Sequence, residues 1–249
     1  MDIATFLGGA LAVGLMYFEL THDNLLGIFA NQRAISLVFG GTLAAVLMSC
    51  RGGQLLRALG SLLQFVFPRS LPGEKDVIGW MTRLAEQTGR QGFNSMQAPA
   101  EADAFLKFAV KAALEKPDER HLRQVLEDAL LEEEKRHSDI SGVFLTMASV
   151  APLFGLLGTL MGMVGMLKGI TNAKSIGPAM AVAITATFYG VGLAVLFATP
   201  VANKLKANSL RERRLHEIVT AGMLDIVGGA IPLEVERHLQ AFMETGKRP

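Results

Sequence analysis

Apolar residues in this chain gather into long uninterrupted runs, and four of those runs reach the length of a membrane-crossing helix: about Ile3 to Leu20, Ala34 to Cys50, Val143 to Leu167 and Ile176 to Ala202. A helix needs roughly 17 to 25 predominantly apolar residues to cross the hydrocarbon core, and each run holds few or no charges. The stretch from 51 to 142 has a different texture. Leu55, Leu56, Leu59, Leu62 and Leu63 recur at helical spacing, as do Phe105, Phe108, Ala109, Ala112 and Ala113, and then Leu122, Val125, Leu126, Ala129 and Leu130. Such stripes predict helices that each bury one face. Pro68, Pro72 and Gly73 separate the first from the next, and Pro117 followed by Asp118 marks the start of the last. Beyond Ala202 the helical pattern continues from Leu205 to Phe242, interrupted at Gly228, Gly229 and Pro232. Strand-like alternation is almost absent, so the pattern predicts an all-α integral membrane protein with four transmembrane helices and a helical cytoplasmic domain. The expected division is 1–50 for the first two membrane helices, 51–142 for the cytoplasmic domain, 143–203 for the last two membrane helices and 204–249 for a cytoplasmic helical tail.

Small residues form stripes within the last two runs. Gly155, Gly158, Gly162, Gly165 and Gly169 alternate three and four residues apart, so on a helix they share one face, and Ala179, Ala183, Ala186, Gly190 and Ala194 do the same on the next. A stripe of this kind lets two membrane helices approach closely, or leaves a wall free of bulk along a pathway. Two such helices in tandem, the second also carrying Thr185 and Thr187, point to a pathway. Neither run contains Asp or Glu. An ion route through hydrocarbon needs an ionisable group, so another chain is expected to supply the carboxylate.

Composition narrows the classes. Half the residues are hydrophobic, mean hydropathy is positive at +0.34 and the formal net charge is +1, which speaks against a nucleic-acid surface. Arg51, Arg57 and Arg69 follow the second run, and Lys204, Lys206, Arg211, Arg213 and Arg214 follow the fourth, which places both regions and both termini in the cytoplasm. The connections from Thr21 to Arg33 and from Lys168 to Ser175 are then short outer loops. Asp2 stands where a cleavable signal would carry positive charge, so the first run is expected to remain as an anchor. Cys50 is the only cysteine, which rules out an intrachain disulfide and leaves it a packing role. The five histidines sit at no metal-ligand spacing, and neither a phosphate-binding glycine turn nor a nucleophile and base set is present. The chain is therefore expected to be no enzyme and to hold no metal or cofactor. Glu127, Asp128, Glu132, Glu133, Glu134, Lys135 and Arg136 read as a solvated helix face.

The strings Pro152-Leu-Phe-Gly-Leu-Leu-Gly-Thr, Ser175-Ile-Gly-Pro-Ala-Met-Ala-Val-Ala and Thr199-Pro-Val-Ala-Asn-Lys-Leu, with Val38-Phe-Gly-Gly-Thr-Leu-Ala-Ala in the second run, resemble the MotA/PomA family of bacterial flagellar stator subunits. The resemblance covers essentially the whole chain. It implies an A subunit of the inner membrane that converts ion flow into rotation and torque on the rotor. It also implies a pentamer around two single-span MotB/PomB-like B subunits whose membrane aspartate carries the ion, and contact with the rotor protein FliG. Pro152 and Pro200 match the family prolines near the inner ends of the last two helices and take the role of hinges. Thr159 and Thr187 match positions where sodium-driven members carry hydroxyls, and with Thr185 they suggest Na⁺ over H⁺ as the transported ion. The opposing reading is that each threonine bonds its own preceding backbone carbonyl. In the rotor-contacting loop the family has a basic residue and a glutamate. Here the stretch Thr88-Gly-Arg-Gln-Gly-Phe-Asn-Ser-Met-Gln offsets Arg90 and puts Gln97 in the acid's place, with Arg83, Glu86, Glu101 and Asp103 as the nearby substitutes. The ExbB/TolQ branch, which energises outer-membrane systems, is the alternative, and a membrane scaffold without ion transport the third reading; the span order favours the flagellar one.

Overall fold

The computed structural model of the protein describes residues 3–22, 26–66, 71–171 and 173–243, and among these no strand occurs. Helix α1 is Ile3–His22 and α2 is Gln32–Ser49, with a wider π-type turn over Ser36–Gly40. They are followed by α3 Gly52–Val66, α4 Glu74–Gln91 and α5 Ala104–Glu115. Helix α6 runs from Glu119 to Lys168. Helix α7, Ala173–Gly192, passes through π-type turns at Leu193–Ala198 into α8, Thr199–Val227, and α9 is Pro232–Gln240. Among the described residues three helical stretches are long and apolar enough to cross a membrane: α2, part of α6, and part of the continuous helix from Lys174 to Val227. Helix α1 leaves Leu7, Leu11, Val13, Leu15, Tyr17 and Phe18 exposed. Asp2, Pro68 and Arg69 lie outside the described residues.

Local chemistry explains where the helices start. Asn31 caps α2 by accepting from the Arg33 and Ala34 amides at 3.1 and 3.2 Å. Asp103 does so for α5 at the Leu106 amide, 2.9 Å, and Asp118 for α6 at the Arg120 amide, 3.1 Å. Each satisfies a first-turn donor that the helix itself cannot. The break after α8 falls at Gly228–Gly229, where Gly229 takes φ +81°, a conformation open to glycine, and Pro232 then starts α9.

The chain divides into two compact units: Met1–Arg69 with Ser138–Lys206, and Ser70–His137 with Ala207–Pro249. Residues 51–69 and 138–142, grouped with the soluble domain in the sequence reading, fall in the first unit. There Val46, Ala58, Val143, Phe144, Val201 and Ala202 form a buried cluster, with Cys50, Leu55 and Leu62 packed on it. Leu56 and Leu59, expected on the buried stripe of α3, are 74% and 64% exposed. Among the described side chains of α3 a narrower row, Leu55, Ala58, Ser61 and Leu62, turns inward. Phe108 departs likewise, at 42% exposed. The second unit has its own core, in which Met81, Met96, Leu106, Leu122, Leu126, Ile218, Met223 and Leu239 are fully enclosed. Burial of one such side chain contributes about 1.5–3 kcal/mol.

Within the first unit the two small-residue stripes meet each other. A methyl carbon on Gly162 would lie 2.6 Å from the Ala183 Cβ and 2.7 Å from the Ala179 carbonyl oxygen, and one on Gly190 2.7 Å from the Ala151 carbonyl. At Gly158 it would overlap the Ala186 methyl, at Gly155 it would meet the Ala186 carbonyl oxygen at 3.0 Å, and at Gly165 the Ala179 methyl at 3.3 Å. The bulk-free wall read from the sequence is thus closed by the neighbouring helix of the same chain. Overpacking such a contact costs about 1–3 kcal/mol. Gly162→Ala and Gly190→Ala are expected to lower the melting temperature of the purified protein by several degrees, whereas Gly177→Ala, with nothing within 4 Å of its new methyl, should not. Unchanged melting in Gly162→Ala would show that the interface yields freely.

Candidate functional site

The sequence-nominated pathway residues lie in the first unit. The Thr159 hydroxyl donates to the Leu156 carbonyl at 2.6 Å, Thr185 to Ala181 at 2.7 Å and Thr187 to Ala183 at 3.3 Å. Each donor is therefore used within its own helix, while the oxygen lone pairs stay available as acceptors or cation ligands. Thr185 is wholly enclosed beside Ala186, so of the three only Thr159 and Thr187 reach the surface of the chain. Gly155, Gly158, Gly162 and Gly165 are engaged in the α6–α7 contact described above.

Both nominated prolines sit within helical backbone. Pro152 lies inside α6, where it has no N–H to offer the Ala148 carbonyl. Pro200 is the second residue of α8, directly after the π-type turns of Leu193–Ala198. Wider turns are one way a helix accommodates a missing donor. The second such stretch, Ser36–Gly40, precedes Gly41, against which the Phe154 ring is seated. Tyr189 donates its hydroxyl to the Phe29 carbonyl, and Phe188 meets the Phe29 ring edge-on at 4.6 Å. Outside these contacts the helices present Leu153, Leu156, Leu157, Leu160, Met180 and Ile184 to their surroundings, a face suited to lipid or to other apolar helices.

The nominated rotor-contact residues lie in the second unit: Arg83, Glu86 and Arg90 on α4 and Gln97 and Glu101 on the segment that follows it are exposed, whereas Asp103 is half-buried and bound to His216. That segment is pinned by the buried Met96 and Ala102, with Ala98 also packed on the core, while Gln97, Ala100 and Glu101 turn outward.

Sequence reasoning missed the charged centre of this unit. His216, on α8, has a side chain 4% exposed, with Nε2 2.7 Å from Asp103 Oδ2 and Nδ1 2.8 Å from Glu133 Oε2. Its ring stacks on Phe105 at 4.3 Å and 11°. Burial alone would push the imidazole down, but the hydrogen bonds and charges of the two carboxylates outweigh it and hold the ring up to about 9. Asp103 is held below its ordinary value despite burial, chiefly by the His216 hydrogen bond, and Glu133 is held down by the same partner. Around this centre Arg213 binds Glu134 at 2.6 Å and Glu217 at 2.9 Å, and His137 meets Ser209 at 3.0 Å. The solvated-face reading of 127–136 therefore holds for Glu127, Asp128, Glu132, Lys135 and Arg136, which are exposed, and fails for Glu133 and Glu134, which are half-buried and paired. The signal was available: Glu133 and His137 continue the stripe of Leu122, Leu126 and Leu130 at helical spacing. Glu133 and His137, one turn apart on α6, come within 4.8 Å of Glu212 beside a cavity of about 10 Å³. Arg213 lines the same cavity, and Arg136 and His216 already neutralise Glu133.

The raised His216 fixes the sign of a pH effect. Its contribution to stability is whole below pH 6.5, falls as pH rises from 6.5 to about 9 and is gone above that. The lowered Asp103 and Glu133 act in the opposite sense, contributing above the ordinary carboxylate range and losing their contribution in acid. The gap in melting temperature between wild type and His216→Gln should therefore narrow from pH 6.5 to 9; a constant gap would refute a charged His216.

Residues 97–218 match the MotA/TolQ/ExbB proton channel family. Over the whole chain the protein is 29% identical to the chemotaxis protein PomA of Vibrio alginolyticus across 249 residues, covering 100% of this chain and 98% of that one. It is 31% identical over 216 residues to YtxD of Bacillus subtilis, covering 86% and 79%, and 28% identical over 246 residues to motility protein A of Borreliella burgdorferi, covering 98% and 94%. Among solved structures it is similar to the flagellar MotAB stator complex of Bacillus subtilis, with a TM-score of 0.82, 25% identity and coverage of 99% and 95%. The C. jejuni MotAB structure shares the fold with a TM-score of 0.85 at 22% identity, covering 98% and 97%. With the small-residue stripes of α6 and α7 packed on each other and relatives matching from end to end, the chain belongs to the MotA/TolQ/ExbB proton channel family, in its MotA/PomA flagellar stator group.

Proposed function

We propose that this chain is the A subunit of an ion-driven flagellar stator, converting ion flow across the inner membrane into rotation and torque on the rotor. The observation that carries the reading is the end-to-end match to PomA and motility protein A chains. The apolar runs Val143 to Leu167 of α6 and Ile176 to Ala202 fit it: their small-residue stripes pack on each other, and neither run has a carboxylate of its own. On this reading the chain crosses the membrane four times, α1 being the first crossing, with both termini in the cytoplasm. It assembles as a pentamer around single-span MotB/PomB-like partners, and a partner aspartate carries the ion. Nothing in the chain's charge suits nucleic acid.

The coupling step falls to Pro152 and Pro200. A proline leaves a carbonyl without its helical donor and makes the helix easier to bend there, so a change of charge at the partner's aspartate is met by a backbone already poised to move. Each unit charge crossing 100 mV releases roughly 2.3 kcal/mol, which suits rotation in many small steps. Sodium is the favoured ion, because the oxygens of Thr159 and Thr187 can replace part of a hard cation's water shell. The exposed Arg83, Arg90, Gln97 and Glu101 form the surface offered to FliG, with Glu101 supplying the acid that Gln97 does not.

The reading is tested in a host stripped of its own stators and supplied with this chain and its cognate single-span partner. Swimming should be restored, and should cease when sodium is exchanged for potassium at fixed ionic strength. Rotation that persists without sodium but stops with a protonophore would replace sodium by protons, and Thr159→Ala should then be nearly silent. Pro152→Ala and Pro200→Ala should keep partner binding and membrane level while cutting rotation speed at least several-fold. Full speed in both variants removes the hinge.

A further inference from the structure

We propose that His216 is a positioning residue for the segment from Gly92 to Asp103: by bridging Asp103 and Glu133 it ties the far end of that segment to α8 and α6 at once. The proposal rests on the stator reading only for the use to which the segment is put. The tether itself is a property of this chain.

The segment is held at four places. At its near end Gly92, with φ +90°, donates its amide to the Thr88 carbonyl at 3.0 Å, and Gln87 Nε2 donates to the Ser95 carbonyl at 2.6 Å. In the middle Met96 is 2% exposed. Further on, the Ala102 amide closes a turn onto the Pro99 carbonyl at 3.0 Å, and Lys107 Nζ reaches the Ala100 carbonyl at 3.2 Å. The far end depends on Asp103, whose two oxygens do different work: Oδ1 caps α5 at the Leu106 amide, 2.9 Å, and Oδ2 accepts from His216 at 2.7 Å. Between Met96 and Asp103 stand the exposed Gln97 and Glu101.

An imidazole can serve two carboxylates only when both ring nitrogens carry protons, since the neutral ring donates from one and accepts at the other. The surroundings favour the doubly protonated form. From α5 the ring meets Asp103 and the face of Phe105; from α6 it meets Glu133, whose other oxygen is engaged by Arg136 at 3.4 Å, with His137 nearby. On its own helix Glu212, Arg213 and Glu217 flank it, and Arg213 is already bound to Glu217 and Glu134. The His216 carbonyl accepts from Thr220 Oγ1 at 2.9 Å, which fixes the backbone beneath. The ring therefore acts as a charged rivet between three helices, and the segment carrying Gln97 and Glu101 ends at that rivet.

The test is hydrogen exchange on the full chain purified in detergent, comparing wild type with His216→Gln and Asp103→Asn. Asparagine caps a helix as well as aspartate does, so Asp103→Asn retains the α5 cap while removing the charge that His216 holds. Both variants should speed exchange at amides 97–106 by roughly ten-fold, the signature of a local opening, with protection in α4 and α9 unchanged. Unchanged rates in that window, or an equal rise throughout the second unit, would overturn the positioning role. In motile cells both variants should lower rotor localisation and swimming without lowering membrane level; loosening confined to the segment with wild-type swimming also overturns it. Failure of the wild-type chain to drive rotation counts against the stator reading, and the exchange result then decides the tether by itself.

Discussion

The contact between α6 and α7 is the constraint on which the membrane part of this protein depends. In hydrocarbon two apolar helices gain little by leaving lipid for each other, so association comes from close van der Waals fit. Here that fit is made by removing side chains: Gly155, Gly158, Gly162 and Gly190 leave space that Ala179, Ala183, Ala186 and the backbone of the facing helix fill. The consequence is directional. Once the small faces are used on each other, the remaining faces, with Leu153, Leu156, Leu160, Met180 and Ile184, must meet lipid or further subunits. Thr159 and Thr187 reach the chain's surface beside the packed faces, and Thr185 is sealed within.

The prolines gain meaning from the same contact. A helix locked to its neighbour by backbone-to-backbone approach is stiff where it is locked, and bending concentrates where the hydrogen-bond ladder is already broken. Pro152 adjoins Ala151, whose carbonyl faces Gly190, and Pro200 follows the π-type turns of Leu193–Ala198. The two breaks in the ladder therefore lie one on each helix, between the stripe contact and the buried cluster of Val143, Phe144, Val201 and Ala202.

The second unit solves a different problem, holding helices together next to water. Its apolar core is ordinary, but at one side a charged histidine replaces apolar contact, and the two carboxylates that pay for its burial come from residues distant in sequence. A buried charge is costly unless it is paired and hydrogen-bonded, and His216 is both. The arrangement gives the neighbouring segment a defined position that apolar packing, which is indifferent to small slides, would fix less sharply.

Much of this was legible in the sequence, because it is local. The run from Ile3 became a helix over Ile3–His22, the Pro117–Asp118 pair became the start of α6, and Gly228, Gly229 and Pro232 became the break before α9. Length, periodicity and capping chemistry act within a few residues, so they can be read along a line. The glycine stripe was legible too, as a face without bulk, but whether that face looked on a pathway or on another helix depended on what lay across from it. Leu56, Leu59 and Phe108 carry the same lesson, since a stripe states which residues share a face and leaves open how wide the buried part is. The charged centre was the least legible. Glu133 looked like one acid in a solvated row, and His216 like a histidine without ligand spacing; only folding brought Asp103, Glu133 and His216 within hydrogen-bonding distance. The sequence by itself determined the helices, their caps and the residues that share each face. Which faces meet, and which charges are buried against each other, was decided by tertiary structure, because those energies depend on distances between residues far apart in the chain.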